Sequence, residues 1–229
     1  MNLTASFKRI LISASLLLTA GSALACIDST WYPAVAGATW TYSVGSENFT
    51  QTIVDVTADS MIMRMEMPGQ EPMEFSYECT EGGMIQIGGM DDLLGDMDMD
   101  MEMDMNMEIV SMEGLTYPNE LVAGTQWDSE MVMKMDMTME GMVVDSTTTV
   151  TSSSTAVAVE SVTVPAGTFD AMRINAQTEV AMAMTMMGMS MPLPGMSTTS
   201  DTWLAEGIGM VLTVDEDGSR TELLSYSIP

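Results

Sequence analysis

Apolar and polar residues alternate along much of the chain with a period of two, which is the period of a β-strand. Stretches 38–44 and 49–56 are rich in β-branched and aromatic residues, and stretch 147–164 is mostly Thr, Ser and Val. Further strands are predicted at 84–87, 169–180, 208–214 and 226–228. Pro165-Ala166-Gly167 predicts a tight turn with a positive φ at glycine, and the turn 215–218 is predicted to pair the last two strands. These features predict one mainly β domain with an antiparallel sheet, either an open barrel or a sandwich.

Methionine is the most unusual component of this pattern. The chain has 30 methionines, most of them in runs at 61–67, 97–107, 131–139 and 181–191. In the first three runs methionine occupies every second position, so on a strand these side chains share one face. A helix would distribute them around its circumference, so the period predicts strands. The methionines predicted to form a concave, ligand-facing surface are Met97, Met99, Met101, Met103, Met105, Met131, Met133, Met135 and Met137.

Three interpretations of this methionine face stay open. It is a loosely specified core or a surface for apolar ligands of varied shape, because methionine is apolar and flexible. It binds copper(I) or silver(I), because thioethers prefer soft cations and methionines on paired strands lie close enough to share an ion. Alternatively, it scavenges oxidants by cycling through the sulfoxide. The pattern assigns no individual residue as a metal ligand.

The residues between the methionines of the second run would form an acidic face. Asp96-Met-Asp98-Met-Asp100 resembles the start of an EF-hand calcium loop. However, Met101 stands where that loop needs glycine, and Met107 stands where it needs glutamate. We therefore expect a solvated acidic face that binds calcium loosely, without a dedicated site.

Charge and the lack of histidine exclude several classes of function. The formal net charge is −27 with 33 acidic residues, and such a surface repels nucleic acid, which needs cationic patches. Without histidine the chain cannot build a Ser-His-Asp triad, a Cys-His dyad or the usual zinc sites. A carboxylate pair could still act as in glycosidases, but the sequence marks no such pair. We expect no enzyme and no cofactor.

The first 25 residues have the pattern of a bacterial signal peptide. Lys8 and Arg9 precede an apolar stretch from Ile10 to Leu18, and Ala23-Leu24-Ala25 offers small residues for signal peptidase. The apolar stretch is shorter than the roughly 20 residues that span a bilayer. The sequence therefore predicts a signal peptide at 1–25 and a single β domain at 26–229. It also predicts no transmembrane segment in the mature chain and an extracytoplasmic location, either periplasmic or secreted.

The two cysteines, Cys26 and Cys79, leave two interpretations open. In an oxidising compartment they form one disulfide, since only one pairing exists. The sequence Ala-Leu-Ala-Cys is also a degenerate lipobox, in which Ala23 and Leu24 reverse the usual order. In that case Cys26 is lipidated and anchors the protein. The two outcomes exclude each other because both use the same sulfur atom.

Several segments together resemble a known family. They are WYPAVAGATWTY (31–42), YECTEGGM (77–84), ESVTVPAGTFDAMRI (160–174) and TWLAEGIGMV (202–211). They resemble the TapB-like proteins, an exported bacterial family of unknown function, and span nearly the whole mature chain. The resemblance implies a single curved antiparallel sheet, an open half-barrel similar in outline to LolA/LolB-type lipoprotein carriers. It implies no catalytic residues and no established ligand. Runs 97–107 and 131–139 depart from the family, which has ordinary aliphatic residues there.

Individual residues in these segments also have structural interpretations. Trp40 and Tyr42 share strand parity and are predicted to anchor a core face. Gly207 and Gly209 are predicted where a strand bulges or meets another backbone closely. We therefore expect a non-enzymatic exported protein that binds an apolar ligand or a protein partner through its concave methionine-lined face. The alternative is a copper(I)- or silver(I)-binding protein, and a carboxylate-based enzyme is a third, weaker hypothesis.

Overall fold

The structure is a computed structural model that describes residues 30–89, 104–139, 142–186 and 189–229; for 104–107, 138–139 and 142–143 the description covers the backbone. Within these ranges all regular structure is β-strand, which confirms the mainly β prediction. The strands are β1 (Thr39–Val44), β2 (Glu47–Val56), β3 (Ser60–Glu66), β4 (Met73–Cys79), β5 (Gly83–Gly88), β6 (Asp104–Gly114), β7 (Tyr117–Pro118), β8 (Gln126–Met139), β9 (Met142–Val164), β10 (Gly167–Met186), β11 (Met189–Pro192), β12 (Met196–Ala205), β13 (Gly209–Asp215) and β14 (Arg220–Ser227).

The strands form one antiparallel sheet whose two ends come together. The order is β6-β8-β9-β10-β12-β13-β14-β1-β2-β3-β4-β5-β7, with β11 paired to β10. The end strands β6 and β7 are separated by Leu115 and Thr116, so the sheet has to curve back on itself. The N–H of Leu115 donates to the carbonyl of Asp128 in β8, and that of Thr116 donates to Met84 in β5. The sheet is not closed into a barrel, so the open, single-sheet prediction is confirmed.

The long β9–β10 hairpin contains the predicted Pro165-Ala166-Gly167 turn. Gly167 lies opposite Val164 and has φ of 147°, a conformation that favours glycine. At the carboxyl end the predicted pairing of 208–214 with 226–228 is wrong. The turn 215–218 is present, but β13 pairs with residues 220–222, whereas Tyr226 lies opposite Trp40 of β1. The reason is that β14 lies between β13 and β1: it pairs with β1 along residues 221–227 on one edge, and only its first residues, 220–222, pair with β13 on the other edge.

The main core lies where the first and last strands of the domain meet. Trp40 and Tyr42 are 1% and 0% exposed, which confirms their predicted role as core anchors. The ring of Tyr42 stacks on Phe49, and Tyr32 packs against Trp40 with ring centroids 5.9 Å apart. Burial of large side chains of this kind stabilises a fold by roughly 1.5–3 kcal/mol each.

A second, smaller core lies on β8, β9, β10 and β12. Its buried members are Leu121, Trp127, Ala156, Met172, Ile174 and Leu204. Tyr117 and Met210 pack against both cores and so join them. The face of these four strands that carries Trp127, Ala156 and Ile174 is called the inner face below. Beyond this core, β8, β9 and β10 continue into the methionine-rich part of the sheet.

Candidate functional site

Two methionines of the first run, Met61 and Met63, belong to the main core. Met61 and Met63 are 1% and 2% exposed, and Met63 lies opposite Phe75 of β4. Directly after Met63 in sequence and on the opposite face, Arg64 forms an ion pair with Glu74. In this run alternation therefore separates a buried methionine face from a charged face, as expected for an ordinary half-buried strand.

The methionines of the third run lie on the inner face but are less buried. Met131, Met133, Met135 and Met137 are half-buried, whereas Lys134 and Asp136 between them are exposed. Cross-strand partners on β9 are Val150, Thr148, Ser146 and Val144 respectively. The alternation predicted from the sequence is thus present on β8, and its methionine face is continuous with the second core.

The second run is described only in part. Met97, Met99, Met101 and Met103 lie outside the described residues, so their predicted role stays a prediction. The backbone of β6 places Met105 opposite Met137 and Met107 opposite Met135. Directly opposed residues of an antiparallel pair share one face of the sheet. These positions of β6 therefore fall on the same face as the β8 methionines.

A cavity of about 270 Å³ opens on the inner face, between the second core and the methionine-rich part of the sheet. It lies where the two ends of the sheet meet, because β5 and the β6–β7 link line it together with β8, β9, β10 and β12. Its apolar lining comes from Ile85, Met112, Tyr117, Trp127, Met131, Val150 and Ile174. Of the methionines predicted to face a ligand, Met131 lines this cavity, and Met133, Met135 and Met137 lie farther along β8.

Small hydroxyl side chains line the same cavity. Ser129, Ser152 and Ser154 lie on its β8 and β9 walls. The hydroxyl of Thr178 on β10 donates to Ser152 at 3.5 Å, the upper limit for such a bond. These groups offer donors and acceptors around an apolar surface, and that combination suits an amphiphilic molecule. The predicted strand 147–164 contains Ser152 and Ser154. The sequence did not mark them as site residues because the curvature of the sheet determines which face of a strand lines a cavity.

Two aromatic side chains hold the base of the cavity in place. The indole N–H of Trp127 donates to the carbonyl of Thr116 at 3.3 Å, which fixes the ring against the β6–β7 link. Burial raises the pKa of the Tyr117 hydroxyl above its ordinary value of 10.0, so this group stays neutral at physiological pH. The side chain of Thr116 in turn accepts the N–H of Gln86 on β5. The cavity floor is therefore rigid and carries no charge from its tyrosine.

The arginines of the described ranges are engaged in ion pairs away from the cavity. Arg64 pairs with Glu74, and Arg220 pairs with Glu222. Arg173 contacts Glu160 at 3.0 Å and Asp201 at 3.6 Å. These pairs are between about a third and a half exposed, so each contributes modestly to stability. Their main consequence is that these cations are neutralised locally on a strongly acidic protein.

The state of the cysteines bears on the two interpretations of Cys26. Cys79 ends β4, is buried and is disulfide-bonded. Cys26, its predicted partner, lies outside the described residues, so the predicted Cys26–Cys79 pairing stays a prediction. Among the residues that the structure describes, no helix is long and apolar enough to cross a membrane.

Acidic side chains do not gather into a metal site in the part of the chain that the structure describes. Within those ranges, no group of three or more His, Cys, Asp or Glu side chains is placed to hold a metal ion. Loose calcium association with the acidic residues stays a prediction. Thioethers form a separate class of ligand.

Comparison with known proteins identifies a family over most of the chain. The model of a family described as DUF3108-like matches residues 36–228. No curated protein matches the chain significantly. The predicted resemblance to TapB-like proteins agrees in pointing to a family of unknown function, but the TapB-like assignment itself stays a prediction.

Two solved structures are similar in outline. One is a candidate lipoprotein from Parabacteroides distasonis, with 14% identity and a TM-score of 0.47. The other is a candidate exported protein with a YmcC-like fold from Bacteroides fragilis, with 12% identity and a TM-score of 0.45. Each alignment covers 87% of this chain and 99% of the other. At these values the likenesses carry no argument about what this chain does.

Proposed function

This chain belongs to the DUF3108-like family, and we propose that it is a non-enzymatic exported protein that binds an apolar small molecule in its inner-face cavity. The observation that supports this most is the cavity itself, whose aromatic and aliphatic floor is framed by Ser129, Ser152 and Ser154. A surface of this kind binds a molecule with an apolar body and a polar end. The signal-peptide pattern of residues 1–25 supports export.

The size of the cavity narrows the class of ligand. Its volume of about 270 Å³ lies just below the 300–1,000 Å³ range of ordinary small-molecule pockets. A single alkyl chain or one ring system fits this volume better than a multi-chain lipid does. The half-buried methionines 131–137 continue from the cavity along the inner face, and they can adapt to a longer chain because methionine is flexible.

The absence of histidine supports a binding role over catalysis. The commonest general base is missing from the whole chain, and the cavity tyrosine is held neutral by burial. Two acidic residues, Glu113 on β6 and Glu130 on β8, lie opposite each other and also line the cavity, but both are exposed to solvent. The cavity lining that the structure describes includes no histidine, lysine or arginine that could activate them. We therefore assign the cavity a binding role. Its occupant is an apolar small molecule in this proposal, and the alternative occupant is a segment of a partner protein.

A matched pair of variants tests the cavity. Ser152 lines it, whereas the next residue, Ser153, is exposed on the opposite face and donates to Asp128. We expect Ser152→Phe to fill the cavity and abolish binding of a fluorescent probe with a single alkyl chain, while Ser153→Phe binds it like the wild type. Equal binding by both variants would contradict the proposal. If Ser152→Phe instead lost a partner protein that the wild type pulls down, but still bound the probe normally, the inner face would be assigned to a protein ligand.

Soft-metal binding is a second candidate function. The backbone register that sets Met105 opposite Met137 and Met107 opposite Met135 supports it, because cross-strand thioethers can converge on one ion. Titration with silver(I), a redox-stable analogue of copper(I), tests it. Stoichiometric binding that survives competition with a soft-metal chelator is the expected result. Binding too weak to compete would remove this candidate.

A further inference from the structure

The β10–β11 hairpin brings four methionines together that the periodicity of the sequence did not single out. Met184 lies directly opposite Met191, and Met186 lies directly opposite Met189. Residues two apart on a strand point to the same face, so all four side chains project from one face of the hairpin. We call Met184, Met186, Met189 and Met191 the methionine square.

The dimensions of the square suit a single ion. Side chains directly across an antiparallel pair have β-carbons about 5 Å apart, and residues two apart along a strand are about 7 Å apart. The centre of such a rectangle is therefore about 4 Å from each β-carbon. Methionine has flexible torsions beyond its β-carbon, so four sulfur atoms can turn toward an ion above that centre.

The chemistry around the square favours a soft cation. Residues 180–200 contain no charged side chain, although the chain as a whole has a net charge of −27. Facing Met184 and Met186 on β9 are Ser146 and Val144, so the cross-strand neighbours on this face supply no carboxylate. Calcium and magnesium need oxygen ligands, whereas thioethers select copper(I) and silver(I). The acidic remainder of the protein raises the local concentration of any cation.

Three residues of the square are exposed and the fourth, Met184, is half-buried. Met186, Met189 and Met191 are 37%, 67% and 47% exposed, in contrast to the core residues Met61 and Met63. Exposed methionines of this number on one short hairpin are not needed for packing, and a metal ion can reach them from solvent. The methionine run 181–191 is therefore more exposed than the run 61–67, although both are rich in methionine.

The square is separate from the methionines on β8. The strand β9 lies between β8 and β10, so Met135 and Met184 are two strand spacings, or about 10 Å, apart. Both Val144 and Ser146 are nearly buried on the intervening strand. An ion shared across this distance would need both side chains fully extended over the intervening strand, so a site on β10–β11 and a site on β6–β8 are distinguishable by mutation.

We propose that the methionine square binds one copper(I) or silver(I) ion through thioether sulfur atoms alone. This proposal rests on the second candidate function and gives it a specific site, which differs from the β6–β8 pairs. It does not depend on the inner-face cavity, because none of the four methionines lines that cavity.

Methyl NMR tests the site residue by residue. The protein is labelled at the methionine methyl carbons and titrated with silver(I) alone. We expect the methyl signals of the four square residues to shift together and saturate at one equivalent. Shifts confined to other methionines, or no shift at all, would overturn the proposal, and this arm needs no variant to fold.

Two variants give the matched affinity measurement. One replaces Met184, Met186, Met189 and Met191 with leucine, and the other replaces Met131, Met133, Met135 and Met137, because methionine-to-leucine changes conserve volume. The first should lose the tightest silver site, with an affinity decrease of at least 100-fold, whereas the second should keep that site, whatever weaker binding it loses at the β6–β8 pairs. The reverse result would keep soft-metal binding but move it to β8 and overturn the square. Weak silver binding by the wild type would overturn both the square and soft-metal binding as a function. It would not bear on the cavity, which the alkyl-chain probe tests separately.

Discussion

The indole N–H of Trp40 donates a hydrogen bond to the backbone carbonyl of Ile208, 2.7 Å away and 168 residues later in the chain. Two residues along the same strand, the Tyr42 hydroxyl donates to the carbonyl of Met210 at 3.0 Å. Both rings are buried, so these bonds lie in a low-dielectric environment where an unpaired carbonyl is costly. They fix β1 against the turn between β12 and β13 and against the start of β13.

Replacing Trp40 with phenylalanine should therefore destabilise the protein. The change removes the hydrogen bond, leaves the Ile208 carbonyl unpaired and opens space in the core, for a loss of about 2–4 kcal/mol in the free energy of unfolding. Trp203→Phe is the control, since that indole donates to the half-exposed Glu160 carboxylate at 3.3 Å. Urea unfolding measures the free energy of unfolding of both variants. An equal decrease in the two would show that the buried hydrogen bond of Trp40 contributes no more to stability than the half-exposed one of Trp203.

Local signals in the sequence predicted many of the strands, although they did not single out β4 or β12. Alternation separates Met61 and Met63 from Arg64, and the same alternation sets the β8 methionines apart from Lys134 and Asp136. The glycine of the Pro165-Ala166-Gly167 turn has the positive φ that its place in a hairpin implies. In each case the information lies within a few residues of the position concerned.

Long-range relationships were not predictable in the same way. The bond from Trp40 to Ile208 and the meeting of β6 with β7 depend on how the sheet curves, which no local pattern encodes. The same reason explains why Ser152 and Ile174 were not recognised as cavity residues. The pairing of 208–214 with 226–228 was predicted wrongly because a turn indicates that two strands meet but not how far along each strand the pairing extends.

Gly83 provides a test of the pairing that attaches the end strand β7 to β5. Its φ is +152°, and a β-carbon there would collide with the backbone of Tyr117 and Pro118 on β7. We expect Gly83→Ala to separate β5 from β7 and to cost more than the roughly 1 kcal/mol of an ordinary positive-φ glycine. Gly45→Ala is the matched control, because Gly45 has φ of +58° with open space around it. Thermal unfolding gives the Tm of each variant. An equal decrease in Tm for the two variants would contradict the close contact between Gly83 and β7.

The buried tyrosines predict how stability depends on alkaline pH. Burial raises the pKa values of the hydroxyls of Tyr32, Tyr42, Tyr77 and Tyr117 above the ordinary value of 10.0. Above pH 10 the unfolded chain loses these protons and the folded chain keeps them, so unfolding becomes more favourable. This contribution is fully present below pH 10, and each tyrosine removes about 1.4 kcal/mol per pH unit above it.

Urea unfolding at pH 9, 10 and 11, followed by tyrosinate absorbance, measures this effect. Stability should be constant up to about pH 9.5 and then fall, with the absorbance of these four tyrosines appearing only together with unfolding. If all of them titrated near pH 10 while the fold stayed intact, the buried environment assigned to Tyr117 and its neighbours would be wrong.

The predicted Cys26–Cys79 disulfide has a measurable consequence. Closing a loop of about 50 residues stabilises a fold by roughly 4 kcal/mol on the chain-entropy estimate. We expect reduction of the mature protein to lower its stability by a comparable amount, and peptide mapping to recover Cys26 linked to Cys79. A diacylglyceryl mass on Cys26 would contradict this pairing and establish a lipid anchor instead.

Native mass spectrometry of the protein exported by its own host is the most direct test of the central claim, which is that the inner-face cavity holds an apolar small molecule. The measurement compares the wild type with Ser152→Phe and Ser153→Phe. We predict a non-covalent adduct of a few hundred daltons or less, since the cavity measures about 270 Å³, on the wild type and on Ser153→Phe, and none on Ser152→Phe. A wild type without any adduct, or an equal adduct on all three proteins, would contradict the claim.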